Sequence, residues 1–291
     1  AWAFFSGADS ALLYDSLLFL KRETEYTQVD GKAKFFGEIA IILSSILGSL
    51  IIVFGIKQTI LLTLIGYTLL VFVTLSLKEP KREMIRIHKL HLEAAQLAFI
   101  IKKALINKKL LGLFCYSFVI LGVSSTIFVM YQPYFRATGL PLYYYGYVFA
   151  AFSIFAAIAS LKANYIEKKI GTYWSLALMP LFIAASLIGA SLVFMWAGFM
   201  FFFLRELVRV YMFPVLGAYT NQITSSSERA TVLSVGSMFS RIGLIVITTT
   251  VGFLSDSYGL KSILLITGVI LLAFAAIVFI FTRNNCPACQ T

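Results

Sequence analysis

The sequence predicts an all-α integral membrane protein of nine transmembrane helices grouped into two bundles. Three observations predict it. Hydrophobic residues make up 60% of the 291 positions and charged residues only 13%, with a mean hydropathy of +0.90, which excludes an ordinary soluble domain. Apolar runs long enough to cross a bilayer recur along the whole chain. Basic residues gather on alternate connections between those runs, as they do where basic loops stay on the cytoplasmic side.

The spans are placed near 1–20, 34–54, 58–77, 110–133, 144–163, 172–190, 193–219, 229–254 and 260–282. Most of the 24 Lys and Arg residues follow the first, third, fifth, seventh and ninth spans. The other connections hold only Lys57, Arg136 and Lys261. This sets the tail, 284–291, in the cytoplasm and the protein in the inner or plasma membrane. It also leaves Ala1 on the outer face, already inside a hydrophobic helix. The first segment has no basic n-region and runs on too long for a cleavable signal. The net charge of +11 is assigned to this loop bias and to anionic lipid headgroups, worth about 1 kcal/mol per basic residue near the surface, so the bilayer and not nucleic acid is the expected partner.

Residues 1–77 read as three spans of an N-terminal bundle. Small residues spaced as Gly7–Ala11 and Ser44–Gly48 allow helices to approach closely, because packing in lipid rests on van der Waals contact. Residues 78–109 form the long connection. Its Ile85, Leu92, Phe99 and Ile100 interleave with basic residues, the pattern of an interfacial amphipathic helix and a natural boundary between bundles. Residues 110–283 read as a second bundle of six helices. Within it SSSE, 225–228, has the form of a capping box in which Ser225 and Glu228 exchange hydrogen bonds at the start of the eighth span. Tyr143, Tyr144, Tyr145 and Tyr147 suit an aromatic belt at the outer interface.

No metal or cofactor is expected. His88 and His91 share a helix face but supply two ligands only, and Cys286 and Cys289 in CPAC have no second pair to complete a zinc site. Cys115 falls within a span.

Ionisable residues inside the spans carry the chemistry. Each costs at least ~2.5–3.5 kcal/mol near the bilayer centre and so needs a partner or a purpose. Counting from span midpoints places Glu206 and Arg241 at matching depth on consecutive antiparallel helices, which predicts a buried pair between them. Glu206 could instead pair with Arg209, three residues on; Arg205 and Arg209 share a face. Either way the region keeps surplus positive charge. Asp9, near the middle of the first span, has no basic neighbour in its own helix, and desolvation favours its protonated form. Asp9, Arg205, Glu206, Arg209 and Arg241 are therefore the candidates for proton exchange and substrate binding. Asp15 lies toward the cytoplasmic end and suits a gate.

Three segments carry a family resemblance: NQITSSSERATVLSVGSMFSRIG (221–243), SGADSALLYDSL (6–17) and YQPYF (131–135). The chain resembles the major facilitator superfamily, and within it bacterial efflux-like members. The nine spans are similar to that family's helices four to twelve, with 78–109 where the two six-helix halves join. On this likeness the sequence covers a fragment, and transport needs the three helices before it. The resemblance implies a monomeric carrier working by alternating access around a site near the midplane. It implies that Asp15 latches the cytoplasmic face, and that Glu167, Lys168 and Gly171 in NYIEKKIG (164–171) form a second, degenerate copy of that latch, with Arg229 as a further gate candidate. GFLSDSYG (252–259) echoes the same form on the outer side, where it reads as a helix stop and turn. Residues 37–54 hold Gly37 and Gly48 but no proline, so the fifth-helix signature of proton-driven drug antiporters has no counterpart. The function expected is proton-coupled efflux of an amphipathic or anionic small molecule, with proton-coupled uptake of a sugar or carboxylate as the alternative and a non-transporting receptor or scaffold third. A membrane enzyme is disfavoured, since no nucleophile, base or metal set gathers at one depth.

Overall fold

The computed structural model describes residues 25–76, 101–224 and 229–285, together with positions 13, 16, 17, 20–22 and 99. Asp9, Asp15, Gly7, Ala11, both histidines, the 225–228 turn, Cys286 and Cys289 lie outside the described residues, as does most of the connector.

The described residues include eight α-helices, with no strand among them: α1 Tyr26–Ile51, α2 Ile56–Ser76, α3 Lys108–Ala137, α4 Tyr145–Ile170, α5 Thr172–Leu192, α6 Phe202–Ile223, α7 Arg229–Tyr258 and α8 Leu260–Asn285; residues 101–106 ahead of α3 are helical as well. Helix is what an apolar segment must form in lipid, where water cannot satisfy backbone groups. Seven of these helices are long and apolar enough to cross a membrane; α6 is the exception, with Arg205, Glu206 and Arg209 in its first half.

Several helices run past the ends read from the sequence, α4 by seven residues to Ile170, and two starts differ more. The helix of the second span begins at Tyr26, eight residues before the apolar run, and continues through Gly31 without a break. The seventh span does not run as one helix from residue 193. It opens with a 3₁₀ segment, Trp196–Phe201, and becomes α-helical only at Phe202.

The chain divides into two compact units, one comprising residues 1–88 with 142–153 and the other 89–141 with 154–291. In the first, the start of α4 meets α1 through Gly146, whose amide donates to Ser49 Oγ at 2.8 Å. A Cβ on Gly146 would strike the Ser45 carbonyl and Ser49 Oγ. The close approach thus runs through Ser45 and Ser49, one position along from the Ser44–Gly48 pair that spacing suggested.

In the second unit α3 packs along α7, α8 along α5, and α5 also along α6. Asn107 starts α3 by accepting from the amides of Lys109 (3.0 Å) and Leu110 (3.4 Å), as an N-cap does. The α3–α7 seam is glycine-lined. A Cβ on Gly122 would come within 2.8 Å of the Gly243 backbone, and one on Gly243 would collide with the Phe118 carbonyl. Above and below that contact the seam closes with Phe114 stacked on Phe239 and with Met130, Val251 and Ile263. Thr126 and Thr248 hydrogen-bond across it at 2.8 Å. α7 continues to Tyr258, so GFLSDSYG is helical up to Gly259, whose φ of 80° ends the helix.

Candidate functional site

The charges of α6 converge on one carboxylate. Glu206 Oε1 accepts from Arg205 Nη1 at 2.5 Å and from the Tyr131 hydroxyl of α3 at 2.9 Å. Glu206 Oε2 accepts from Arg209 Nε at 2.6 Å. Arg205 also donates from Nε to the Ser124 carbonyl of α3 at 2.9 Å. Its guanidinium lies over the rings of Phe128 and Tyr131, 5.6 and 5.7 Å from their centroids, where the ring quadrupoles attract a cation. Arg205, Glu206 and Tyr131 are buried, whereas the Arg209 side chain is 33% exposed. The cluster holds two guanidiniums against one carboxylate, a net +1.

This corrects the expected pairing of Glu206 with Arg241. The depth count assumed a helix centred on residue 206. Because α6 begins at Phe202, Glu206 sits in its second turn, about 10 Å from the helix midpoint. Arg241 lies near the middle of α7, opposite a different stretch of α6. The alternative pairing with Arg209 holds, and Arg205 joins it.

The 3₁₀ entry to α6 is itself fixed. The Tyr134 hydroxyl faces the carbonyls of Ala190, Val193 and Met195 at 3.0–3.2 Å, and its ring meets Phe202 edge-on at 5.0 Å. A Cβ on Gly198 would strike that hydroxyl, so only glycine fits there.

Arg241 lines a separate cavity of about 370 Å³ between α3, α6 and α7. Its other polar lining comes from Ser117, Ser125, Thr220, Ser237 and Ser240, and the remainder is apolar, including Phe114, Met212 and Leu216. The volume falls within the roughly 300–1,000 Å³ of small-molecule sites, as does the mix of apolar wall and few polar groups. Ser124 and Ser125 are neighbours on α3: the carbonyl of the first holds Arg205 and the second lines the cavity.

The structure therefore brings Arg205, Glu206 and Arg209 together and sets Arg241 in the cavity. Glu167 and Lys168 lie in the last turn of α4 and Arg229 opens α7, but their side chains are outside what is described. Gly171 makes the turn between α4 and α5 with φ 82°. Sequence reasoning missed Tyr131 as the third donor to Glu206. Among 15 tyrosines nothing marks it except its place in YQPYF. It also missed the cavity serines, which single-residue patterns do not distinguish from helix-packing serines. Among the described residues no group of His, Cys, Asp and Glu could hold a metal ion.

Comparison with curated proteins returned no match. Residues 113–288 match the Major Facilitator Superfamily, and the chain belongs to that family of multi-pass secondary membrane transporters, which are not enzymes.

Proposed function

We propose that the protein exports an amphipathic, anionic small molecule in exchange for protons, by alternating access of two bundles joined by the basic connector 78–109. The observation that carries this reading is the 370 Å³ cavity with Arg241 among serine and threonine hydroxyls and an apolar wall. Such a lining suits a ligand with one acidic group and a hydrophobic body, since a guanidinium binds carboxylate or phosphate in a fork while the wall takes the rest. The neighbouring Arg205–Glu206–Arg209 cluster adds a net positive charge to the same bundle.

Glu206, held by three donors, braces α3 against α6. Asp9 is then the acid that exchanges protons, and Asp15, Glu167, Lys168, Gly171 and Arg229 serve the cytoplasmic gate, with connector and tail on that side and the carrier acting as a monomer.

The test is flux in proteoliposomes containing the full-length protein under an imposed pH gradient. Arg241→Gln is expected to raise KM for an aromatic carboxylate at least tenfold and to change transport of its neutral amide little. Equal loss for both compounds would remove Arg241 from substrate binding. Asp9→Asn is expected to abolish proton-linked flux with folding intact, and unchanged coupling would exclude Asp9. Accumulation of a sugar or small carboxylate down the proton gradient, with no extrusion, would replace export by uptake.

A further inference from the structure

A second cavity opens beside α3, at the end of the bundle that carries the basic connector, and shares Leu113 with the Arg241 cavity. It has a volume of about 220 Å³ and lies between the start of α3, the start of α5 and the ends of α6 and α8. Its lining is nearly all apolar, with Leu113, Leu176, Phe274, Ile277 and Val278 among the walls and Lys109 at one end. Tyr116 is locked into the floor by donating to the Leu176 carbonyl at 2.7 Å. The volume is below that of ordinary drug-sized sites, and the shape is open to the surrounding bilayer through exposed Ile277.

The charge beside it is one-sided. Lys109 lines the groove and Lys108 precedes it; both are exposed, and residues 101–112 contain no acid. A hydrophobic slot with an exposed lysine at one end, at the level where an apolar helix leaves the membrane, matches a molecule with an acyl chain and an anionic head.

We propose that this groove holds one acyl chain of an anionic phospholipid, with the lipid phosphate at Lys109. The occupant comes from the bilayer. The site is separate from the Arg241 cavity and does not depend on what that cavity transports.

Cys115, exposed and lining the groove, supplies a reporter. In a Cys286→Ser, Cys289→Ser background, the full-length protein is placed in nanodiscs and its reaction with N-ethylmaleimide followed. Replacing phosphatidylcholine by phosphatidylglycerol is expected to slow Cys115 labelling, and native mass spectrometry to show one retained phosphatidylglycerol. Lys109→Gln should require about fivefold more phosphatidylglycerol for the same protection, the worth of one basic residue near an anionic surface, and Lys109→Arg should restore it. Gly112 also lines the groove, and a Cβ there meets nothing within 4 Å, so Gly112→Leu is the substitution chosen to obstruct the slot. In that variant the retained lipid should be lost. Equal labelling in the two lipids, or lipid retention unaffected by Gly112→Leu, overturns the proposal. Protection by millimolar inorganic phosphate in phosphatidylcholine discs also overturns it, since the site would then be one for free anions.

Discussion

Tyr131 donates its hydroxyl hydrogen to Glu206 at 2.9 Å, tying α3 to α6 between residues 75 positions apart in the chain. A carboxylate in an apolar bundle is tolerable only if its lone pairs are met, and this tyrosine supplies the donor that α6 itself does not. Removing it without changing the ring isolates that contribution. Tyr131→Phe is expected to cost about 1.5–3 kcal/mol, the range for a hydrogen bond to a charged group. Thermal unfolding in detergent measures it, and an unchanged midpoint would show that the arginines alone suffice.

Arg205 and Glu206 are both buried, so breaking the pair from one side is expected to cost more than removing both. Glu206→Gln should destabilise by about 3–5 kcal/mol because it leaves Arg205 uncompensated. Arg205→Met combined with Glu206→Gln should recover part of that loss, with a coupling of about 0.5–3 kcal/mol in the cycle. Additive losses would mean that the two side chains act independently. Arg209→Gln, at a partly exposed position, is expected to be the mildest of the single changes.

Gly243 allows α7 to touch the α3 backbone. Gly243→Ala forces its methyl against the Phe118 carbonyl, which cannot rotate away. The expected loss is about 1–3 kcal/mol, the usual range for overpacking. Gly236→Ala, two turns earlier on the same helix, meets only Phe114 at 3.6 Å and should be neutral or stabilising. Equal unfolding midpoints for the two variants would remove the close approach as a cause.

Tyr134 offers one hydroxyl hydrogen to three carbonyls at the α5–α6 connection. Tyr134→Phe is expected to leave the helices intact but to speed hydrogen exchange of the amides near Met195 and Gly198 at least tenfold. Exchange at wild-type rates would mean that Gly198 and the aromatic contacts hold the segment without it.

At the entry to α1, Arg22 and Glu25 form an exposed ion pair with contacts of 2.5 and 2.7 Å. The side-chain hydrogen bond from Arg22 is the main cause holding the Glu25 carboxyl below its ordinary value. A lowered carboxylate pKa contributes stability that is present above the ordinary glutamate range near ~4.3 and is lost as pH falls through the lowered value. Protection of the first-turn amides of α1 should therefore fall on acidification below that range, and Glu25→Gln should remove the dependence. A pH-independent first turn would show that the pair contributes nothing there.

The helices were legible because an apolar run of membrane length has few other options, and α2, α5 and α8 lie close to where the runs predict. The partner of Glu206 was not. Depth fixes one coordinate along a helix, and here even that was displaced by the 3₁₀ turn ahead of Phe202, which no apolar pattern reveals. Adjacent residues on a helix do not ordinarily face one another. Arg205 reaches Glu206 only by curling over Phe128 and Tyr131, whose positions belong to α3. Arg241 stood out in the sequence as an ionisable residue in a span, but the hydroxyls that line the cavity with it come from three helices and have no linear signature.

Gly171 is the whole connection between α4 and α5, and Gly259 that between α7 and α8. Kinematically, a single residue is a pin: the two rods it joins can pivot about it but cannot slide past each other. Any stroke that carries α5 along the bundle axis must carry the adjoining end of α4 with it, and likewise α7 with α8. The longer connection, the nine residues 193–201 ahead of α6, is tied back by Tyr134 and Gly198, so α6, the helix whose buried charges face α3, is coupled to α5 as well.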